Sequence, residues 1–320
     1  MAKEFLNALE AEIAKQDMGN HPKELYEPIQ YLMSLGGKRI RPVLCLLTYS
    51  LFKDQWQKAI SPSLSLEIFH NFTLMHDDIM DKAPLRRGKQ TVHEKWNDNI
   101  AILSGDVMLV NAYQYLNKIK DLSLSEFQFA LERFNKTAAE VCEGQQMDMN
   151  FETRSEVSVE EYIEMIRLKT SVLLGCALEM GAIIGETSLE NRKALYDFGV
   201  HLGIAFQIQD DLLDLYGNPE KVGKKVGGDV LANKKTLLSI LAKSYASDDL
   251  LIKLNSLQNE QNQTEKLAQT ISIFESLSIQ EQCKNEMSKH YTHAMSALRT
   301  LSSNISYHEL EELAEYLFHR

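Results

Sequence analysis

Residues 70–88 read HNFTLMHDDIMDKAPLRRG, and this stretch decides how the rest of the chain is interpreted. Apolar helical sequence runs here into DDIMD at residues 77–81 and then into a pair of arginines. Because an α-helix turns once in about 3.6 residues, the carboxylates of Asp77 and Asp81 point the same way. Like charges so placed repel each other unless a cation lies between them. The motif indicates either a Mg²⁺ site, whose usual ligands are carboxylates and substrate phosphates, or a solvated acidic helix face.

The same carboxylate spacing occurs a second time, in FQIQDDLLDLYG, where the aspartates are Asp210, Asp211 and Asp214. Both copies follow apolar helical sequence, as expected of two helices that face one cavity. Short basic clusters lie close to each copy in sequence. Together the two motifs favour a diphosphate held through several Mg²⁺ ions over two unrelated acidic surfaces.

Composition narrows the class of protein. The chain has 320 residues, 44% of them hydrophobic, which is enough for a substantial core, and its 6 prolines favour a mainly helical structure. A net charge of -11 argues against nucleic-acid and anionic-membrane binding, whereas local basic clusters suit a small anionic ligand. The four cysteines form no closely spaced pair, so neither a zinc site nor a disulfide framework is indicated. We find no signal-peptide core and no membrane-spanning run, and expect a soluble, cytoplasmic protein without stable membrane insertion.

Apolar periodicity predicts helices along most of the chain, and no run alternates convincingly as a strand. The longer predicted helices cover residues 63–82, 98–120, 123–150, 158–186, 190–216, 264–300 and 306–319. We therefore expect one all-α domain over residues 1–320. Small residues in the 158–186 helix would let a neighbouring helix approach closely. A loop rich in glycine and lysine, residues 217–235, is interpreted as a lid over phosphates.

Further candidate ligand contacts lie outside the aspartate motifs. The loop GGKRIRP at residues 36–42 places basic residues between a glycine pair and a helix start, where an anion can bind. His70 lies two helical turns before the first aspartate motif and is either a packed residue or a ligand contact. Lys169 interrupts an apolar helix, where a lysine is unfavourable unless paired. Arg86 and Arg87 either pair with the aspartates or hold two phosphate groups, since a guanidinium matches phosphate geometry.

The chain resembles the trans-isoprenyl diphosphate (polyprenyl) synthases in seven segments that occur in the family's order: GGKRIRP, LMHDDIMDKAPLRRG, EGQQMD, LKT, FQIQDDLLD, VGKKVGGD and NKKT. The resemblance runs from about residue 25 to the end. It implies the isoprenoid synthase fold, a bundle of long antiparallel helices around a central cavity, usually as a homodimer. It also implies Mg²⁺ as cofactor, with isopentenyl diphosphate and allylic prenyl diphosphates as substrates.

The resemblance also implies roles for residues at matching positions. Mg²⁺ on the allylic diphosphate would be held by Asp77, Asp81 and Asp210, supported by Asp78, Asp148, Asp211, Asp214 and Gln145. The allylic diphosphate would contact Arg86, Lys169, Lys224 and Lys234, with Lys225 as an alternative to Lys224. The reacting end would be lined by Thr170 and Gln207. Isopentenyl diphosphate would be held by Lys38, Arg41, His70 and Arg87.

These residue types suit a reaction that begins with ionisation. Mg²⁺ and cationic side chains stabilise a departing diphosphate. The isopentenyl double bond then attacks the allylic cation, and positioning supplies much of the rate. The proton lost afterwards goes to the released diphosphate, so no dedicated side-chain base is required. Water has to be excluded, because it would convert the cation to an alcohol.

Three functions share this pattern of residues. A prenyl elongase is favoured because DDLLD and the basic loop are both present. A terpene cyclase of the same fold commonly has a different second metal motif and no isopentenyl site. A non-catalytic partner subunit tends to lose Asp or Arg residues from these motifs, and none is missing here.

Phe72 is the candidate residue for limiting product length. It lies five residues before Asp77, about 7.5 Å back along the helix axis, and Thr73 lies one full turn before Asp77. In the resembled family an aromatic residue at this position accompanies short products. With Thr73 rather than a second aromatic residue, we predict the twenty-carbon geranylgeranyl diphosphate, with farnesyl diphosphate as the alternative. The competing interpretation is that Phe72 is ordinary core packing.

Overall fold

The structure is a computed structural model that describes residues 1–16, 18–217 and 226–318. Helices dominate the described residues, so the prediction of an all-α fold is confirmed. Within these residues, strand is limited to an antiparallel hairpin of β1, Leu85–Arg86, and β2, Lys89–Gln90. Sequence alternation could not have revealed strands of two residues, and the expectation of no strand is corrected in this detail.

The backbone forms two compact units. The first comprises Met1–Lys136, Cys176–Tyr196 and Leu301–Leu310, and the second comprises Thr137–Gly175, Asp197–Thr300 and Glu311–Arg320. The single domain over residues 1–320 stays a prediction.

The helices of the first unit are α1 Ala2–Lys15, α2 Lys23–Ser34, α3 Ile40–Ser50, α4 Ile60–Met80, α5 Val92–Lys95 and α6 Asp98–Leu116, with a 3-10 turn at Trp56–Ala59. Four helices have residues in both units: α7 Leu124–Thr153, α9 Val172–Ile184, α10 Leu189–Tyr216 and α16 His308–Phe318. The second unit also contains α8 Val159–Ile166, a π-helical turn at Arg167–Ser171, α11 Gly228–Leu231, α12 Leu237–Tyr245, α13 Asp248–Leu257, α14 Gln263–Ser276 and α15 Ile279–Leu298.

Two of the predicted helices are interrupted. The apolar 158–186 helix is α8 and α9 joined by the π-helical turn, which lies at the Lys169 interruption seen in the sequence. The predicted 264–300 helix is α14 and α15, and Ser278 between them has a left-handed backbone with φ of 53°. A non-glycine residue in that conformation cannot continue a right-handed helix.

The core of the first unit fixes the helix that carries the first aspartate motif. Helix α4 packs along α6. The ring of Phe69 lies 5.6 Å from that of Phe72 and 5.4 Å from that of Phe134, which in turn lies 5.1 Å from Tyr113. Burial of each phenylalanine contributes about 1.5–3 kcal/mol. This aromatic cluster therefore holds α4 in one position and rotation.

Small residues permit close backbone contacts in both units. In the first unit, a Cβ added to Gly181 of α9 would lie 2.3 Å from the carbonyl oxygen of Cys45 in α3, as expected from the small residues of this helix. In the second unit, a Cβ on Gly203 of α10 would lie 2.8 Å from the Cα of Ser171. Larger side chains at either glycine would separate the paired segments.

Candidate functional site

The first aspartate motif lies at the C-terminal end of α4. The helix ends at Met80, two residues earlier than predicted, because Lys82 has a left-handed φ of 49°. The backbone N–H of Asp81 still donates to the carbonyl of Asp77 at 2.8 Å, so the helical spacing of the two carboxylates is kept. Negative charge is unfavourable at a helix C-terminus. The motif therefore requires nearby cations.

Arg86 supplies one such cation, and it pairs with the middle aspartate of the motif. Its Nε and Nη2 donate to the two oxygens of Asp78 at 2.8 and 2.7 Å, and Nη2 lies 3.6 Å from Asp77 Oδ2. The hairpin of β1 and β2 presents Arg86 at this point. Burial and the neighbouring Asp77 raise the pKa of Asp78, while Arg86 counteracts both. Asp78 is buried, Asp77 is half-buried and Asp81 is exposed, so the three carboxylates differ in their access to solvent.

The basic loop before α3 is built around Arg39, whose structural role the sequence did not reveal. Arg39 is buried and donates to Glu67 at 2.6 Å, to Glu10 at 2.9 Å and to the carbonyl of Met33 at 2.8 Å. Asn71 completes this network by donating to Glu67 at 3.0 Å. Arg39 thus anchors the loop. The buried Glu67 within an apolar helix was the one sequence signal for such a partner.

Arg41 of this loop and Arg87 of the hairpin both lie near His70. Arg41 Nη1 lies 3.0 Å from His70 Nε2, and Arg87 donates to the carbonyl of Gly36. Gly37, with φ of 142°, leaves room for the Arg87 guanidinium, since a Cβ there would lie 2.8 Å from Arg87 Nη2. Lys38 is exposed on the same loop.

The pKa shifts of Arg41 and His70 reflect the burial and the positive charge around His70. Burial lowers the pKa of Arg41 to about 10. Burial lowers the pKa of His70 well below its ordinary value, and four arginines lower it further: Arg41, Arg86, Arg87 and Arg39. Because a guanidinium only donates, His70 Nε2 accepts from Arg41 as a neutral imidazole. The region attracts an anion.

The second motif, on α10, also has a buried middle aspartate. Asp211 accepts from the hydroxyl of Tyr162, from the backbone N–H of Leu237 at 3.2 Å and from Gln207 Nε2 at 3.4 Å. Burial raises the pKa of Asp211 to about 7, the Tyr162 hydrogen bond opposes this, and Asp229 adds to it. Tyr162 gave no signal in the sequence, because a tyrosine on an apolar helix face is ordinary core.

The outer aspartates of this motif differ from each other. The side chain of Asp214 accepts from the backbone N–H of Asp229 at 3.1 Å, and its backbone carbonyl accepts from the N–H of Gly227 at 2.7 Å, so Asp214 fixes the start of α11. Asp210 is exposed. Lys234 lies after the end of α11 and is exposed. Its Nζ is 3.8 Å from Asp229 Oδ1. The predicted contacts Lys224 and Lys225 lie outside the described residues.

Lys169 lies in the π-helical turn and has a protein partner. Its Nζ donates to Asp148 Oδ2 at 2.6 Å. The contact depends on Gly144, because a Cβ there would lie 2.2 Å from the backbone nitrogen of Lys169. Gly144 and Asp148 are four residues apart on α7 and share a face. Lys169, which is unfavourable on an apolar helix unless paired, thus has a partner within the protein. The predicted site residues Gln145 and Thr170 are both half-buried.

The candidate chain-length residues lie in the first unit. The Phe72 ring is buried, with its centroid 4.8 Å from that of His76 and 5.6 Å from that of Phe69. Thr73 is half-buried, and its hydroxyl donates to the His70 carbonyl at 2.8 Å. These contacts are compatible with both interpretations of Phe72.

Comparison with known proteins gives consistent matches. Residues 22–274 match the family described as polyprenyl synthetase. The geranylgeranyl diphosphate synthase of Saccharolobus solfataricus is 37% identical over 303 residues, covering 93% of this chain and 91% of that protein.

Solved structures agree over the whole length. A crystal structure of a geranylgeranyl pyrophosphate synthase superposes with a TM-score of 0.92 at 39% identity, covering 100% of this chain and 99% of that one. A polyprenyl synthase from Caulobacter crescentus, complexed with calcium and isoprenyl diphosphate, superposes with a TM-score of 0.85 at 26% identity, covering 100% and 94% of the two chains. The isoprenoid synthase fold is therefore confirmed. No described helix is long and apolar enough to cross a membrane.

Proposed function

Because the chain belongs to the polyprenyl synthetase family, we propose that it is a short-chain trans-prenyltransferase that joins isopentenyl diphosphate to allylic diphosphates. The observation that carries this proposal is that each aspartate motif combines a buried middle carboxylate with an exposed outer carboxylate. Asp78 and Asp211 are buried and bound by protein donors, while Asp81 and Asp210 are exposed. Exposed carboxylates are accessible to a hydrated metal ion and to the phosphate groups it carries.

Mg²⁺ fits the outer carboxylates of the two motifs. Hard cations take oxygen ligands, and Mg²⁺ commonly takes one or two carboxylates plus substrate phosphates. The residues proposed to hold it are Asp77, Asp81 and Asp210, with Asp148 in support. Bound there, the metal would neutralise the diphosphate and favour its departure. The calcium in the Caulobacter crescentus protein supports a divalent cation in this family.

Isopentenyl diphosphate is proposed to bind at the basic loop. Lys38, Arg41, His70 and Arg87 would hold its diphosphate. A buried guanidinium gains from an anion because burial disfavours its isolated charge, as the lowered pKa of Arg41 indicates. Neutral His70 would orient Arg41 through the contact at 3.0 Å.

The allylic diphosphate is proposed to bind Arg86, Lys169, Lys234 and one of Lys224 and Lys225. Lys169 is held by Asp148 at 2.6 Å and so is already positioned to donate. Thr170 and Gln207 would lie at the reacting end. These cations stabilise charge that develops on the leaving group.

The proposed reaction exchanges a carbon–oxygen bond for a carbon–carbon bond. The allylic C–O bond breaks and both electrons leave with the diphosphate. The isopentenyl double bond supplies the electrons of the new bond to the allylic carbon. Loss of a proton from the isopentenyl unit to the released diphosphate restores a double bond. The protein's part is to position both substrates and exclude water.

The proposed product is geranylgeranyl diphosphate, with farnesyl diphosphate as the alternative. Its support is the name of the Saccharolobus solfataricus relative and the buried aromatic Phe72 below the first motif. We further propose a cytoplasmic homodimer in which residues 1–320 act as one domain, without nucleic-acid partners. Exposed apolar side chains of α6, Leu103 and Val110, support a second copy as a partner.

The test is incubation of the purified protein with Mg²⁺, isopentenyl diphosphate and each allylic primer, followed by chromatographic sizing of the products. The expected result is chain growth that stops at twenty carbons. Cyclic hydrocarbons from an allylic diphosphate alone would indicate a cyclase instead. If no primer supported prenyl transfer, the proposal would be contradicted.

A further inference from the structure

Three histidines of the second unit lie close together, and none of them belongs to an aspartate motif. His201 lies on α10, and His290 and His293 lie on α15. One ring nitrogen of each lies within 4.8 Å of the corresponding nitrogens of the other two. The centroid distances are 5.3 Å for His201 to His290, 5.1 Å for His201 to His293 and 6.2 Å for His290 to His293. The reaction proposed above uses none of them.

The spacing suits a tetrahedral metal. Nitrogens bound to Zn²⁺ at 2.0–2.1 Å are separated by about 3.3 Å in tetrahedral geometry. His201 Nδ1 and His290 Nδ1 are 3.1 Å apart, close to that separation. A movement of about 1.5 Å by the exposed ring of His293 brings its nitrogen from a separation of up to 4.8 Å to the third ligand position.

A second contact is the kind that metal-binding histidines commonly make. His290 Nε2 lies 3.4 Å from Glu286 Oε1, one turn earlier on α15. Ligating histidines generally donate their other ring N–H to a carboxylate, which fixes the tautomer and leaves the first nitrogen as the ligand. Glu286 would thus direct His290 Nδ1 toward the other two rings.

The environment favours the neutral imidazoles that bind metals. Burial, together with the neighbouring His201, lowers the pKa of His290 to about 4. Burial also lowers the pKa of His201, with His293 adding to the effect. Neutral imidazole is the form that binds transition metals, and nitrogen ligands suit Zn²⁺, Co²⁺, Ni²⁺ and Cu²⁺ rather than Mg²⁺.

We propose that His201, His290 and His293 form a transition-metal site, distinct from the Mg²⁺-binding aspartates, that takes Zn²⁺ or a similar cation through three imidazole nitrogens. The fourth position is left for water. The site joins α15 to α10, the helix that carries the second aspartate motif. Binding at this point stabilises the folded second unit, because a cation that binds only the native state adds to its stability.

Co²⁺ provides a spectroscopic test on the full-length, metal-stripped protein in excess Mg²⁺. Tetrahedral Co²⁺ with nitrogen ligands absorbs strongly in the visible range, whereas octahedral Co²⁺ on carboxylates absorbs weakly. The expected result is one equivalent of strongly absorbing Co²⁺ and a rise in the thermal midpoint. Loss of the exposed ligand in His293→Gln should weaken Co²⁺ affinity by about 100-fold or more, and Glu286→Gln should weaken it by about 10–100-fold.

His308→Gln is the matched control, because His308 is an exposed histidine outside the cluster. It should keep the wild-type spectrum, affinity and thermal shift. Far-ultraviolet circular dichroism of each variant establishes that it is folded before titration. Weak octahedral absorption in the wild type would overturn the proposal. Equal Co²⁺ affinity in wild type and His293→Gln would overturn it as well, and would leave the 3.1 Å contact as a hydrogen bond between two neutral rings.

Discussion

Arg86 holds Asp78 through two parallel hydrogen bonds of 2.8 and 2.7 Å, and only 3% of the Asp78 side chain is exposed. The pair joins the hairpin to the end of α4. Within the first motif, burial decreases from Asp78, which is buried, through Asp77, which is half-buried, to Asp81, which is exposed.

The stability of two neighbouring variants should differ accordingly. Asp78→Asn removes a charged acceptor from a buried position, and hydrogen bonds to charged groups contribute about 1.5–3 kcal/mol. We expect a loss of that size in the free energy of unfolding, measured by urea denaturation. Asp81→Asn, at an exposed position, should change it by less than about 0.5 kcal/mol. Equal losses for the two variants would contradict the division of roles.

The sequence predicted correctly that each aspartate motif follows apolar helical sequence, because carboxylate spacing is a local property of a helix. It predicted one helix over residues 158–186, in which the π-helical turn lies at the lysine that interrupts the apolar pattern. It could not predict that Asp148 pairs with Lys169 or that Tyr162 binds Asp211, because these contacts join separate helices. Long-range pairs leave no periodic signal.

The role of Arg39 also could not be predicted from the sequence. By residue type it belongs with Lys38 and Arg41 in one basic loop. The structure instead places its guanidinium on Glu67 and Glu10, where it anchors the loop. Burial, which sequence spacing does not reveal, separates a structural arginine from a ligand-binding one.

Lys169 should matter for turnover more than for folding. Lys169→Gln removes a cation that is proposed to stabilise the leaving diphosphate, and losing one such donor lowers kcat by about 100-fold or more. Steady-state kinetics with a fixed allylic primer measure this effect. Lys289→Gln, at an exposed lysine of the same unit, is the control and should leave kcat unchanged. A similar kcat for the two variants would remove Lys169 from the proposed site.

His70 should make the protein less stable in acid. Its folded-state pKa is well below the ordinary value because of burial and the surrounding arginines. In the unfolded chain it takes up a proton as the pH falls through about 6.5, while in the folded chain it does not. The unfolded state then binds more protons, so stability falls with decreasing pH below about 6.5, by at most about 1.4 kcal/mol per pH unit from this residue.

The measurement is the free energy of unfolding against pH for wild type and His70→Gln. Gln keeps an acceptor for Arg41 but does not titrate. We expect the variant's profile to be flatter below about pH 6.5 and parallel to the wild type above it. Parallel profiles at all pH values would show that His70 titrates alike in both states.

Phe72 should limit the length of the product. Phe72→Ala removes a buried ring, which costs about 3–5 kcal/mol of stability, and should allow longer prenyl chains. Phe134→Ala is the matched control, because it belongs to the same aromatic cluster but not to α4. Both variants are compared by product chromatography at a temperature where both are folded. Unchanged product length in Phe72→Ala would leave Phe72 as core packing.

The most direct test of the central claim, that both aspartate motifs bind Mg²⁺ for one prenyl-transfer reaction, is the Mg²⁺ dependence of isopentenyl diphosphate incorporation. Asp81→Asn and Asp210→Asn each alter one exposed carboxylate of one motif. We predict that each lowers turnover by orders of magnitude at every Mg²⁺ concentration, while circular dichroism shows an intact helical fold. Near-normal turnover in either variant would contradict the claim.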